Sequence, residues 1–240
     1  MRKLRARNNY VKELSEFEKL IDIKFKSKDL LLEAFTHRSY LNENSDWKGN
    51  HNERLEFLGD AVLELAVTEQ LFSHFTDKAE GDLTSLRAAL VNANMLSEAA
   101  QDLGLNDYLL LSRGEAKDLG RARQYILANT FEALIGAIYL DRGYAAADKF
   151  IKKNILSRVD DVISKKLFRD PKSLFQERAQ EAHGVTPKYE VLKEWGPDHN
   201  KHFIVGVYIG KELVAEGEGP SKQEAQASAA EEGLRTKKWN

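Results

Sequence analysis

Apolar positions three and four residues apart dominate the first two thirds of the chain; strict alternation appears only in the last third. Leu14, Phe17, Leu20 and Ile21 predict a helix over 14–24. Ser27 is placed to cap a second helix carrying Leu30, Leu31, Leu32, Ala34 and Phe35. The stretch from Asn42 to Asn52, rich in Asn, Ser, Asp and Gly, reads as a loop. A long helix follows, from Asn52 to about Phe75. After a break at Glu80-Gly81-Asp82, Asp82 or Thr84 could cap one helix carrying Leu83, Leu86, Leu90, Val91, Met95 and Leu96 as far as Gly104. Gln124 to Leu140 is apolar almost all round, the mark of a buried helix, and Gly143 ends it. Another helix is expected from about Ala145 to Lys166. No strand pattern precedes residue 170.

Beyond Pro171 the period changes. A helix from Ser173 to His183 stops at Gly184, and Lys188 to Glu194 reads as a strand. Gly196-Pro197-Asp198-His199 is a turn. Phe203, Val205, Val207 and Ile209 alternate as in a half-buried strand. Gly210-Lys211 suits a two-residue type II′ hairpin turn, followed by a third strand over Leu213 to Glu216. Gly217-Glu218-Gly219-Pro220-Ser221 opens a last helix through Ala225, Ala229, Ala230 and Leu234. The expected architecture is therefore an all-α domain over 14–166, a linker at 167–170 and a small α-β-β-β-α domain over 171–238.

The helix from Asn52 holds the first candidate chemistry. At 100° per residue, Glu53, Glu56, Asp60 and Glu64 share one stripe about 90° wide. Leu55, Leu58, Ala61, Val62, Leu65 and Ala66 fall opposite. Leu63 and Val67 interrupt the acidic stripe, which argues against a fully solvated face. Stacked carboxylates repel one another unless a cation sits among them. The alternative is a plain solvated helix face. On the later, apolar helix, Asn129 and Glu132 stand one turn apart. A carboxylate there needs a metal ion or a partner such as Arg54 or Arg87.

Composition narrows the field. The chain has 240 residues, 42% hydrophobic and 31% charged, as a globular protein would. No apolar run is long enough to span a membrane, and the basic N-terminus lacks the apolar segment of a secretory signal. There are no cysteines, which excludes disulfides and thiolate metal sites and accords with the cytoplasm. The net charge of −2 means that any polyanion-binding surface must be local. The six histidines form no helical i, i+4 pair, so oxygen ligands and Mg²⁺ are favoured over zinc.

The last seventy residues resemble a double-stranded RNA-binding domain, on Gly217-Glu218-Gly219-Pro220-Ser221-Lys222, the later Ala229-Ala230 and the α-β-β-β-α order. Such domains read A-form shape across about 16 base pairs. The resemblance implies that Gln176 and Glu177 face one minor groove, that Pro197 and His199 enter the next, and that Lys222 holds phosphates between them. Gln223 and Gln226 stand where the family often has Lys or Arg, which implies modest affinity and a shallow salt dependence.

The first 165 residues resemble the bacterial ribonuclease III catalytic domain. Asn52-Glu53-Arg54-Leu55-Glu56-Phe57-Leu58-Gly59-Asp60 matches its signature; Phe35 to Tyr40, Glu80-Gly81-Asp82 and Glu132 to Ala137 match in order. The resemblance implies an endoribonuclease that hydrolyses double-stranded RNA with Mg²⁺, or Mn²⁺ in its place. It implies 5′-phosphate and 3′-hydroxyl ends and a role in rRNA and mRNA precursor processing. By the same resemblance Glu56, Asn129 and Glu132 ligate the metal, and Asp60 and Glu132 are catalytic. Glu53 and Glu80 are auxiliary acids, and Phe57 packs into the partner of a homodimer. Asn129 departs from the family's Asp and removes one negative charge. It leaves open an alternative, a double-stranded RNA-binding protein with impaired or absent cleavage.

Overall fold

The structure is a computed structural model that describes residues 14–164, 170–197 and 201–239. A helix through residues 14–21 (α1) buries Leu14, Phe17 and Ile21. Buried Glu18 on α1 accepts the Phe25 N–H at 2.8 Å and pairs with Lys28. Next come α2 (Lys28–Ala34), capped by Ser27, and α3 (Arg38–Glu43), capped by His37. The long helix is α4 (Glu53–His74). Where one helix was expected up to Gly104, there are two, α5 (Glu80–Val91) and α6 (Ala93–Asp102). Asn92 breaks them: its backbone is extended and its side chain accepts the Met95 N–H at 3.0 Å. The cap expected at Asp82 or Thr84 is also displaced, because α5 already starts at Glu80.

A short α7 (Arg113–Lys117) leads into α8 (Arg121–Arg142), the most deeply buried helix among the described residues. Asp141, near its C-terminal end, accepts the N–H groups of Lys26 and Ser27 at 2.7 and 2.8 Å, tying α8 to the start of α2. The helix expected from about Ala145 to Lys166 is interrupted: α9 (Tyr144–Asn154) and α10 (Val159–Ser164) flank a 3-10 turn. Among the described residues up to 170 there is no strand, only one isolated parallel bridge, Thr36 to Leu110.

The α4–α8 contact organises this core. A Cβ on Gly59 would overlap the Glu132 carbonyl and stand 2.9 Å from the Gly136 nitrogen. One on Gly136 would overlap the Leu55 carbonyl and stand 3.2 Å from the Gly59 nitrogen. The two backbones therefore touch, which only glycine permits at both positions. The apolar arc of α4 is wider than the core. Leu55, Val62 and Ala66 are buried as expected of the core face, and Leu63 and Val67, which interrupt the acidic stripe, are buried too, but Ala61 and Leu65 are exposed, in contrast to their expected place among the inward residues.

The chain divides into two units between residues 168 and 169. The second is α11 (Pro171–His183), β1 (Lys188–Trp195), β2 (His202–Ile209), β3 (Glu212–Gly219) and α12 (Lys222–Lys237). The strands form one antiparallel sheet in the order β1-β2-β3. Asp170 caps α11 through the N–H groups of Lys172 and Ser173, and Pro171 takes the first helical position, where its missing N–H costs nothing. Gly210 has φ +62° at the first turn position, as a II′ turn requires. Phe203, Val205, Val207 and Ile209 face Ala225, Ala229, Ala230 and Leu234 in the core. A Cβ on Gly233 would meet the Phe175 ring at 2.6 Å, so α11 and α12 are in close contact.

Candidate active site

The turn before α4 is rigid. The Asn52 N–H donates to the Thr36 carbonyl, and its side-chain amide donates to the Ala34 carbonyl. Thr36 donates to the Leu32 carbonyl at 2.7 Å. α4 therefore leaves a fixed point and presents Glu53, Glu56, Asp60 and Glu64 one turn apart. Leu63 and Val67 are fully buried, so the acidic stripe borders the core. Glu56 is half-buried, whereas Asp60 and Glu53 are exposed.

The α4–α8 contact brings this stripe to Asn129 and Glu132. Burial, then the Asp60 and Glu56 carboxylates, pushes the Glu132 carboxyl up to about 8. The Glu56 carboxyl is also raised, by burial first and then by Glu53, while the Asn129 side chain hydrogen-bonds to it and opposes the rise. Neither alternative partner reaches Glu132. It has no ion pair among the described residues, Arg54 is exposed, and Arg87 donates to Thr68 at 3.0 Å. The structure thus brings together Glu56, Asp60, Asn129 and Glu132, with Glu53 at the margin. Glu80 is held in the first turn of α5, where it accepts from Thr84 at 2.9 Å, and it is not among the charges acting on Glu56 or Glu132.

A divalent cation fits the chemistry of this set. The donors are hard oxygens, and burial, then the neighbouring carboxylates, raises two of the carboxyls toward their neutral forms, which a bound cation would offset. With an amide at 129, no group of three His, Cys, Asp or Glu side chains ready to hold a metal ion exists among the described residues.

One consequence concerns pH. Below about 4.5 the Glu132 carboxyl is protonated in both folded and unfolded chains. Between that value and about 8 only the unfolded chain loses the proton, so folded stability falls as pH rises. In chelator at pH 7, Glu132→Gln is expected to stabilise the protein by about 2 kcal/mol, after allowance for partial solvent screening. The gain disappears near pH 4. Thermal unfolding across pH reads it; a constant difference would place the repulsion elsewhere.

Burial lowers the pKa of His37. Its Nδ1 accepts the Ser39 N–H at 3.3 Å and bonds the Ser39 hydroxyl at 2.8 Å, and Ser39 Oγ accepts the Ser112 N–H at 3.1 Å. Sequence reasoning missed Gly59 and Gly136, although a glycine inside a helix costs about 1 kcal/mol and so signals close packing. It also missed Arg38, which donates to Glu53 at 3.1 Å.

In the second unit Gln176 and Glu177 are exposed on α11 and, with Ser173, Gln180 and Glu181, line a shallow depression. Lys222 is exposed at the start of α12, its Nζ 5.6 Å from the centre of the Phe203 ring. Pro197 is exposed, and His199 lies outside the described residues. Gly217 and Gly219 lie against α12. A Cβ on Gly217 would overlap the Ala229 nitrogen, and one on Gly219 would stand 2.6 Å from that of Ala225, so both admit α12 onto the sheet.

Comparison with known proteins agrees with both halves. Residues 27–159 match the family described as ribonuclease-III-like, and residues 171–237 match the double-stranded RNA binding motif. A ribonuclease 3 of Borreliella afzelii is 42% identical over 223 residues, 93% of this chain and 91% of that one. A ribonuclease 3 of Natranaerobius thermophilus is 47% identical over 204 residues, 84% and 86% of the two chains. A solved nuclease domain of ribonuclease III from Campylobacter jejuni, described as flexible in a region involved in dimer formation, is 44% identical. It covers 58% of this chain and 96% of its own, with a TM-score of 0.52.

Proposed function

This chain belongs to the ribonuclease III family of double-stranded RNA endoribonucleases, and on that premise we propose how its own residues carry the reaction. Glu56, Asn129 and Glu132 would hold a divalent cation, Mg²⁺ or, in its place, Mn²⁺. Such an ion, when bound, supplies a Lewis acid for the phosphodiester and lowers the pKa of a water. Asp60, exposed one turn from Glu56, orients the attacking water and accepts its proton at a carboxylate oxygen. Glu132 would have to give up its own proton to serve as a ligand. Glu53 acts at the margin of the site, and Glu80, at the start of α5, adds negative potential from farther off. The products carry 5′-phosphate and 3′-hydroxyl ends. The observation that carries this reading is the glycine contact of α4 and α8, which sets carboxylates of two helices against one another.

Residues 14–166 form the nuclease and 171–238 grip the duplex, through Gln176 and Glu177 on one groove, Pro197 and His199 on the next and Lys222 on the phosphates between. A homodimer is supported by the apolar stripe outside the core of α4. Phe57, Leu65 and Phe72 are 82, 58 and 72% exposed and span about 22 Å of helix. Phe57 is the residue expected to enter the partner. Precursor rRNA and mRNA in the cytoplasm are the substrates that suit such an enzyme. The specific observation favouring a weaker cutter is Asn129, an amide on Glu56 where a carboxylate would add charge.

One set of measurements tests this. Labelled duplex RNA, mixed with the protein in chelator and then in Mg²⁺ or Mn²⁺, should be bound in both and cut only with metal. Sedimentation in the same buffers should give the mass of two chains. Binding with no cutting in either metal would favour the RNA-binding alternative. A single-chain mass would remove the dimer.

A further inference from the structure

Arg38 and Glu53 form a pair that holding a cation does not require. Arg38 Nη1 donates to Glu53 Oε1 at 3.1 Å, and the other Glu53 oxygen lies 3.8 Å from His51 Nδ1. The base of Arg38 is fixed by the His37 cap, by the bond from Ser112 to Ser39 and by the Thr36–Leu110 bridge. Its side chain is nevertheless 68% exposed. A guanidinium carries five N–H donors, so one hydrogen bond to Glu53 leaves others able to meet a polyanion. Glu53 opens α4 one turn before Glu56, so the pair sits at the rim of the carboxylate cluster. Phosphodiesters approaching that cluster meet repulsion, and a cation held at its rim offsets it. An exposed ion pair adds little to stability by itself. Bidentate guanidinium–phosphate contact is, by contrast, strong and directional.

We propose that Arg38 is a substrate-binding residue of the nuclease unit. It grips a backbone phosphate beside the scissile one, and Glu53 is the positioning residue that aims it. This rests on the reading that the unit cuts duplex RNA. It changes the part given to Glu53, which serves the RNA strand through Arg38 rather than an ion.

The test uses the full chain and its Arg38→Gln, Arg38→Lys and Glu53→Gln variants. Binding to a duplex of about 20 base pairs is followed over a salt series in chelator, and cleavage kinetics are followed in Mg²⁺. Arg38→Gln should reduce the slope of log affinity against log salt by about one, the loss of a single phosphate contact. It should raise KM about tenfold, more than it changes kcat, as loss of ground-state binding does. Arg38→Lys should restore the slope but only part of KM, because lysine lacks the planar fork. Glu53→Gln should raise KM in the wild-type background and add little to Arg38→Gln. An unchanged slope and KM in Arg38→Gln would overturn the proposal. So would Arg38→Lys behaving like Arg38→Gln with a lowered unfolding temperature, which would mark a purely structural residue. A wild-type chain that binds no duplex is a different result: it removes the functional reading and this proposal with it.

Discussion

Replacing Gly59 with alanine is expected to cut the cleavage rate by about 100-fold or more, the scale of loss for a displacement of about 1 Å at a reacting centre. The added methyl has nowhere to go. It meets the Glu132 carbonyl and the Gly136 nitrogen, which are backbone atoms of a helix buried over most of its length. A flexible side chain could swing aside; a helix axis must move. The movement separates Glu56 and Asp60 from Asn129 and Glu132, since the first two ride on α4 and the others on α8. Overpacking of this kind costs about 3 kcal/mol, so the unfolding temperature of the nuclease unit should fall as well. Duplex binding should fall much less, because the second unit has its own core. Gly81→Ala is the control: a Cβ there meets nothing within 4 Å. Single-turnover cleavage and duplex binding of both variants check the claim. Gly59→Ala cutting within threefold of wild type would show that the helix contact does not set the site.

Asn129→Asp is expected to lower the metal concentration for half-maximal cleavage by about tenfold or more. A further unit charge a few ångströms from a bound cation contributes more than the 1.4 kcal/mol that a factor of ten requires. In chelator the same change should be unfavourable. It removes the donor that now restrains Glu56 and adds one more repelling carboxylate to Glu56, Asp60 and Glu132, so the unfolding temperature should drop by about 2–4 °C. The opposite signs with and without metal distinguish a ligand from a packing residue. Equal rates and equal metal requirements in the two forms would count against a ligand role at 129.

Much of the fold is legible in periodicity. The helical spacing on either side of Gly59, the buried run before Gly143 and the alternation from Phe203 to Ile209 all mark elements that the structure contains. Hydrophobicity alone could not say which apolar residues meet the core. Leu65 and Ala61 read as inward because leucine and alanine suit either a core or a surface patch, and only the position of α8 decides. The interruption at Asn92 was hidden because one side-chain cap outweighs a continuing apolar pattern. At Ile155 the helix breaks without a glycine or proline to announce it. In the site, acidic residues were visible through their spacing, whereas the meeting of α4 with α8 was not. A sequence reports which residues share a helix face, not which faces touch. Gly59 and Gly136 become informative only as a pair. Arg38 stayed hidden for the same reason, since its partner Glu53 lies fifteen positions away across a loop.

Manganese binding without RNA tests most directly whether side chains of α4 and α8 converge on one cation. Wild-type protein and Glu132→Gln should be titrated with Mn²⁺ between pH 6 and 9. Wild-type affinity should climb about tenfold per pH unit and level off near pH 8, because Glu132 must release its proton to bind. Glu132→Gln should bind about tenfold or more weakly at pH 8 and lose most of that slope. Identical affinities and identical pH profiles in the two proteins would contradict the account.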